Sequence, residues 1–127
     1  MREIKFRAWD KINKDMFNVE SINFQERKVY RDIVSYREFN DIELMQYTGL
    51  KDMRGKEIYE GDILFESFGE RYYKVVFENA SFRAEAEGDF EEYSLDLIDI
   101  VAQGCEVVGN IYENPELIKE WDNGDWF

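Results

Sequence analysis

The chain has 127 residues, 16 Lys and Arg against 29 Asp and Glu, one cysteine and no histidine. That length suits one domain, or one with a small appended lobe, and can bury a core without disulfides or a structural metal. A formal charge of −13 disfavours nucleic acid and anionic membranes, and the missing histidine removes Ser-His-Asp and Cys-His catalysis together with imidazole zinc sites.

Taken in chain order, Ile4-Lys5-Phe6-Arg7-Ala8-Trp9 alternates strictly and predicts a half-buried strand. A polar turn over residues 10–15 leads to a second strand over residues 16–24, making a first hairpin. Residues 28–30 predict a short third strand, and residues 32–40 read as irregular. Residues 43–48 predict a strand ending at Gly49, followed by a tight reversal over residues 51–56. A second turn at Glu60-Gly61-Asp62, with Gly61 at positive φ, precedes a strand from Ile63.

Residues 71–77 complete a second hairpin, and residues 82–87 alternate again up to a stop at Gly88-Asp89. Residues 94–101 fit a strand or one to two helical turns, and so short a window does not decide between them. Residues 106–112 predict a strand with a bulge at Gly109, and Asn114-Pro115-Glu116 predicts the start of a short amphipathic helix carrying Leu117, Ile118 and Trp121. Seven or eight short strands with one terminal helix predict a mainly-β barrel or sandwich.

Three segments, read together, resemble the YopX family of bacteriophage and prophage proteins of Gram-positive bacteria. They are residues 2–10 (REIKFRAWD), residues 44–63 (LMQYTGLKD through GKEIYEGDI) and residues 108–117 (VGNIYENPEL). The resemblance implies an SH3-like small barrel in the C-terminal half, with N-terminal strands added as a hairpin lobe. On that basis residues 1–42 form the N-terminal strands, 43–121 the barrel and a short C-terminal helix, and 122–127 a tail. It implies no assigned activity, and so no catalytic residue and no cofactor.

The residues of these segments read first as structural: glycines for turns, Asp and Thr bonding nearby amides, tyrosines packing. If the turns lie at a rim, Tyr47, Lys51, Asp52, Tyr59, Glu60 and Asp62 form a surface for a protein partner. A second surface, Lys5 and Arg7 with Trp9 between further basic residues, has the stacking-plus-phosphate composition of a single-strand nucleic-acid binder.

The acidic run Glu85, Glu87, Asp89, Glu91, Glu92, Asp96 and Asp99 lacks the spacing of a calcium loop and reads as a solvated edge, so no metal ligand is assigned. Cys105 reads as a small buried residue. Trp121, Trp126 and Phe127 suggest that the chain end docks on its own core or on another copy.

Charge is graded along the chain: net +3 over residues 1–31, −4 over 32–64 and −12 over 65–127. The gradient allows a homo-oligomer joined by complementary charge, or an acidic DNA mimic. No apolar run approaches the ~18 residues of a membrane span and the opening residues do not read as a signal peptide, so a cytoplasmic protein is expected. The functional expectation is a non-enzymatic accessory protein that binds another protein.

Overall fold

The computed structural model describes residues 3–87 and 92–118. The chain divides into two compact units, Met1–Tyr47 and Thr48–Phe127. The division falls inside a strand, five residues beyond the 42/43 boundary expected from the sequence.

The first unit holds β1 (Phe6–Asp10), β2 (Asp15–Asn18), β3 (Ser21–Asn23), β4 (Lys28–Tyr30), β5 (Tyr36–Glu38), a 3-10 turn (Phe39–Asp41) and the first part of β6 (Ile42–Lys51). β1 is flanked by antiparallel β2 and β6, with Ala8 opposite Phe17 on one side and Leu44 on the other. β3, β4 and β5 form a separate antiparallel sheet. Ala8, Phe17, Val29 and Ile42 make the core, with Val19 and Phe39 packed against it. Each fully covered aliphatic side chain there is worth roughly 1.5–3 kcal/mol.

The single strand expected over residues 16–24 is two strands in different sheets. The Val19 amide still donates to Phe6 of β1 (3.0 Å), whereas the next amide, Glu20, donates to Tyr30 of β4 (2.8 Å). The backbone stays extended while its ladder partner changes, and alternation alone does not reveal such a corner. Residues 32–40, read as irregular, contain β5. Its inward position is Arg37, whose Nε donates to the fully buried Asp10 carboxylate (2.7 Å), so no apolar residue marks the covered face.

In the second unit β6 continues beside β7 (Glu57–Tyr59). There follow β8 (Asp62–Glu66), β9 (Arg71–Glu78), β10 (Ser81–Glu87), β11 (Glu92–Asp96), the helix α1 (Leu97–Gln103), β12 (Glu106–Asn110) and a 3-10 turn (Pro115–Leu117). The last five strands form a curled antiparallel sheet in the order β11-β10-β9-β8-β12. Its core gathers Ile58, Leu64, Tyr73, Val75, Ala84, Ala86, Leu97, Ile100 and Cys105. The fold is mainly β with a short helix.

The ambiguous residues 94–101 resolve into both alternatives: β11 runs to Asp96 and α1 begins at Leu97. Leu97 and Ile100, one turn apart, enter the core beside the small Ala84 and Ala86, and α1 stops at Gly104 with φ +96°. The bulge expected at Gly109 is present, since the β12–β8 register shifts between Val107 and Gly109. A Cβ at Gly109 would lie 2.4 Å from Asn114 Oδ1, so this position admits no side chain without displacement.

The expected terminal helix is one 3-10 turn within the described residues. Asn114 does not cap it; its Oδ1 accepts from the Asn110 amide instead (3.1 Å). Trp121, Trp126 and Phe127, like Asp89 and Glu91 of the acidic run, lie outside the described residues. No helix among the described residues is long and apolar enough to cross a membrane.

Candidate functional site

The buried carboxylates organise turns. Asp52, between β6 and β7, accepts the Arg54 and Lys56 amides on Oδ1 (2.9 and 2.8 Å) and the Val107 amide on Oδ2 (2.9 Å). Burial alone would raise its carboxyl, but the three amides and the Lys56 charge outweigh it and hold the group below the usual carboxylate range. Asp62 accepts the Tyr59 amide across a turn in which Gly61 takes φ +84° as the sequence requires. Glu66 accepts the Gly69 amide with both oxygens (3.0 and 2.8 Å). Thr48 Oγ1 donates to the Ile58 carbonyl (2.7 Å) and accepts the Leu50 amide.

This geometry disposes of most of the rim expected from the sequence. Tyr47 in the first unit and Asp52, Tyr59 and Asp62 in the second are all buried, while Lys51 is exposed and Glu60 half-buried. The signature residues act from inside the protein, so only Lys51 and Glu60 of the six offer a surface.

The basic N-terminal set fares similarly. The Lys5 ammonium lies 5.2 Å from the Tyr47 ring centroid and 3.4 Å from Glu3, and Arg7 is half-buried. Trp9 is only 9% exposed, which takes its indole out of any stacking surface. The alternation of β1 was read correctly, but both faces of the strand are partly covered.

In the acidic run, Asp96 pairs with Arg83, and Glu85 stands opposite Ser94 in the β10–β11 ladder. No three metal-ligating side chains converge among the described residues. Burial pushes the Cys105 thiol up to about 11, which leaves it protonated at neutral pH.

Sequence reasoning passed over the β4–β5 connection. Asp32 Oδ1 accepts the Val34 and Ser35 amides (2.9 and 2.7 Å), and the Arg31 amide closes the loop on the Ser35 carbonyl (2.9 Å). The tip so fixed presents Ile33 and Val34 at 88% and 77% exposure. The available signal was Asp-Ile-Val-Ser, an Asx turn with two aliphatic residues inside it.

Beside the tip lies an open cleft of about 540 Å³ lined by Ile12, Val34, Ser35, Tyr36, Arg37, Glu38 and Asp41. The Ile12 wall is set by Asp10, whose Oδ1 accepts the Ile12 and Asn13 amides (2.9 and 3.1 Å). Burial opposes ionisation of Asp10, but those amides and the Arg37 guanidinium prevail and lower its pKa.

The division into units also redistributes charge. Residues 1–47 carry nine basic and nine acidic side chains; residues 48–127 carry seven and twenty, and so the whole net charge.

These features define a class: a small mainly-β protein of two units whose buried acids are committed to its own turns. The chain belongs to the YopX family, whose model, described as YopX protein, matches residues 5–119. It is similar to the crystal structure of protein EF1440 from Enterococcus faecalis, with 32% identity, a TM-score of 0.63 and coverage of 93% of this chain and 99% of that one. It shares its fold with the crystal structure of protein yopX from Bacillus subtilis, at 23% identity, a TM-score of 0.57 and coverage of 92% and 98%. No curated protein matches the chain.

Proposed function

We propose that this chain is a non-enzymatic accessory protein of a bacteriophage or prophage that acts in the host cytoplasm by binding another protein. The observation that carries this reading is the β4–β5 tip, where two aliphatic side chains stand almost wholly in solvent on a loop held by three hydrogen bonds. A rigid loop loses little entropy on docking, and exposed aliphatic area gains when covered. The buried carboxylates support a non-catalytic reading, because Asp10, Asp52, Asp62 and Glu66 already bind backbone amides of their own turns.

In this reading the second unit is an SH3-like small barrel and the first a β lobe carrying the contact. Five curled antiparallel strands with one short helix support it. The partner is a different molecule. The basic stretch of residues 1–31 is balanced within its own unit, so copies have no basic lobe to set against the acidic one.

The test is affinity capture from host lysate with the unaltered protein and with Ile33→Asp/Val34→Asp. The expected outcome is a partner retained by the first and lost by the second, with the variant's thermal unfolding unchanged. Retention by both would remove the tip, and with it the reading.

A further inference from the structure

The cleft beside the tip has a chemistry of its own. Ile12, Val34 and Tyr36, at 62%, 77% and 41% exposure, give it an apolar wall. Arg37 is the cationic residue in the lining, and its charge is already matched by Asp10 at 2.7 Å. Glu38 and Asp41 have no ion-pair partner among the described residues. The lining therefore sets two carboxylates among apolar side chains, with the Lys28 ammonium 4.3 Å from the Tyr36 ring centroid and Lys28 opposite Glu38 in the β4–β5 ladder, although the unit as a whole is neutral.

At about 540 Å³ it is within the roughly 300–1,000 Å³ of ligand sites, but it is open, which suits a segment of chain rather than an enclosed metabolite. A long basic side chain meets both requirements, with its methylene stem against the aliphatic wall and its charged head at the carboxylates. Such a head binds acids in a partly covered site more tightly than on a flat acidic surface.

We infer that this cleft receives an arginine or lysine side chain, flanked by apolar residues, from an extended segment of the partner protein. The inference rests on the protein-binding reading above and gives it a chemical class of partner.

The test uses ¹⁵N-labelled full-length protein titrated with the capped peptide acetyl-Leu-Ala-Arg-Ala-Leu-amide, its Glu-for-Arg counterpart and its norleucine-for-Arg counterpart. The arginine peptide is expected to shift the amides of Ile12, Val34, Ser35, Tyr36, Arg37, Glu38 and Asp41. Its affinity should fall at least about threefold in Glu38→Gln/Asp41→Asn, where Glu38 is exposed, Asp41 is half-buried, and neither carboxylate is hydrogen-bonded or ion-paired among the described residues. The norleucine peptide should bind more weakly than the arginine peptide, and the Glu peptide more weakly still.

Shifts confined to the acidic second unit and unchanged in that variant would mean attraction to bulk charge alone and would overturn the inference. So would equal binding of the Glu peptide, or no binding up to about 10 mM. Failure here with tip-dependent capture intact removes only the cleft's ligand; peptide binding together with tip-independent capture removes the wider reading and leaves the cleft.

Discussion

Asp52 gives the most exacting test of the claim that the acidic interior is structural. In Asp52→Ala the Arg54 and Lys56 amides, on exposed residues, recover water and cost about 0.5–1 kcal/mol each, while the half-buried Val107 amide costs about 1.5–2 kcal/mol. The total is about 3 kcal/mol, or roughly 10 °C in melting temperature for a chain of this length.

Asp52→Asn keeps the acceptor for Arg54 and Lys56 but sets an amide donor against the Val107 N–H, so a loss of about 2 kcal/mol is expected. Because folding depresses the Asp52 pKa below 3.8, its stabilisation is present above about pH 5 and is lost as pH falls through the lower folded value. The gap between the unaltered protein and Asp52→Asn should therefore close in acid. The assay is thermal unfolding by circular dichroism across pH, with amide exchange at Arg54, Lys56 and Val107. A shift under about 2 °C for Asp52→Ala, or a gap that widens in acid, refutes the reasoning.

Three further outcomes are expected. Arg37→Met leaves the Asp10 carboxylate buried with its amide bonds but no counter-charge, costing about 2–3 kcal/mol, and Asp10→Asn in the same chain restores part of it; urea unfolding measures both. Gly109→Ala drives a Cβ into Asn114 and costs about 1–3 kcal/mol, and adding Asn114→Ala, which clears the space, recovers part of that loss by the same measurement. Cys105, buried with a thiol pKa near 11, should resist a thiol-reactive dye in native buffer and react fully in denaturant; fast native labelling contradicts its burial.

Much of the fold was legible because it rests on local signals. β1, β9 and β10 carry period-two alternation in the sequence, and Gly61 and Gly109 stand where a positive φ and a close approach require them. What escaped the sequence depends on partners remote along the chain. β5 is hidden because its inward residue is Arg37, acceptable there only opposite Asp10, twenty-seven residues earlier. The break between β2 and β3 is a change of ladder partner.

Four of the six expected rim residues are buried for a related reason. Tyr47, Tyr59, Asp52 and Asp62 form a recognisable pattern because turns and core need them, and that need puts them inside. Ile33 and Val34 look like core residues in the sequence; only the turn held by Asp32 puts them in solvent.

The most direct test of a contact made by the first unit places a photo-crosslinking residue at Ile33, and in a second strain at Phe68, which is 96% exposed on the second unit. Both are irradiated in living host cells. A discrete adduct from position 33 and none from position 68 is the predicted result; an adduct from 68 with none from 33 contradicts it.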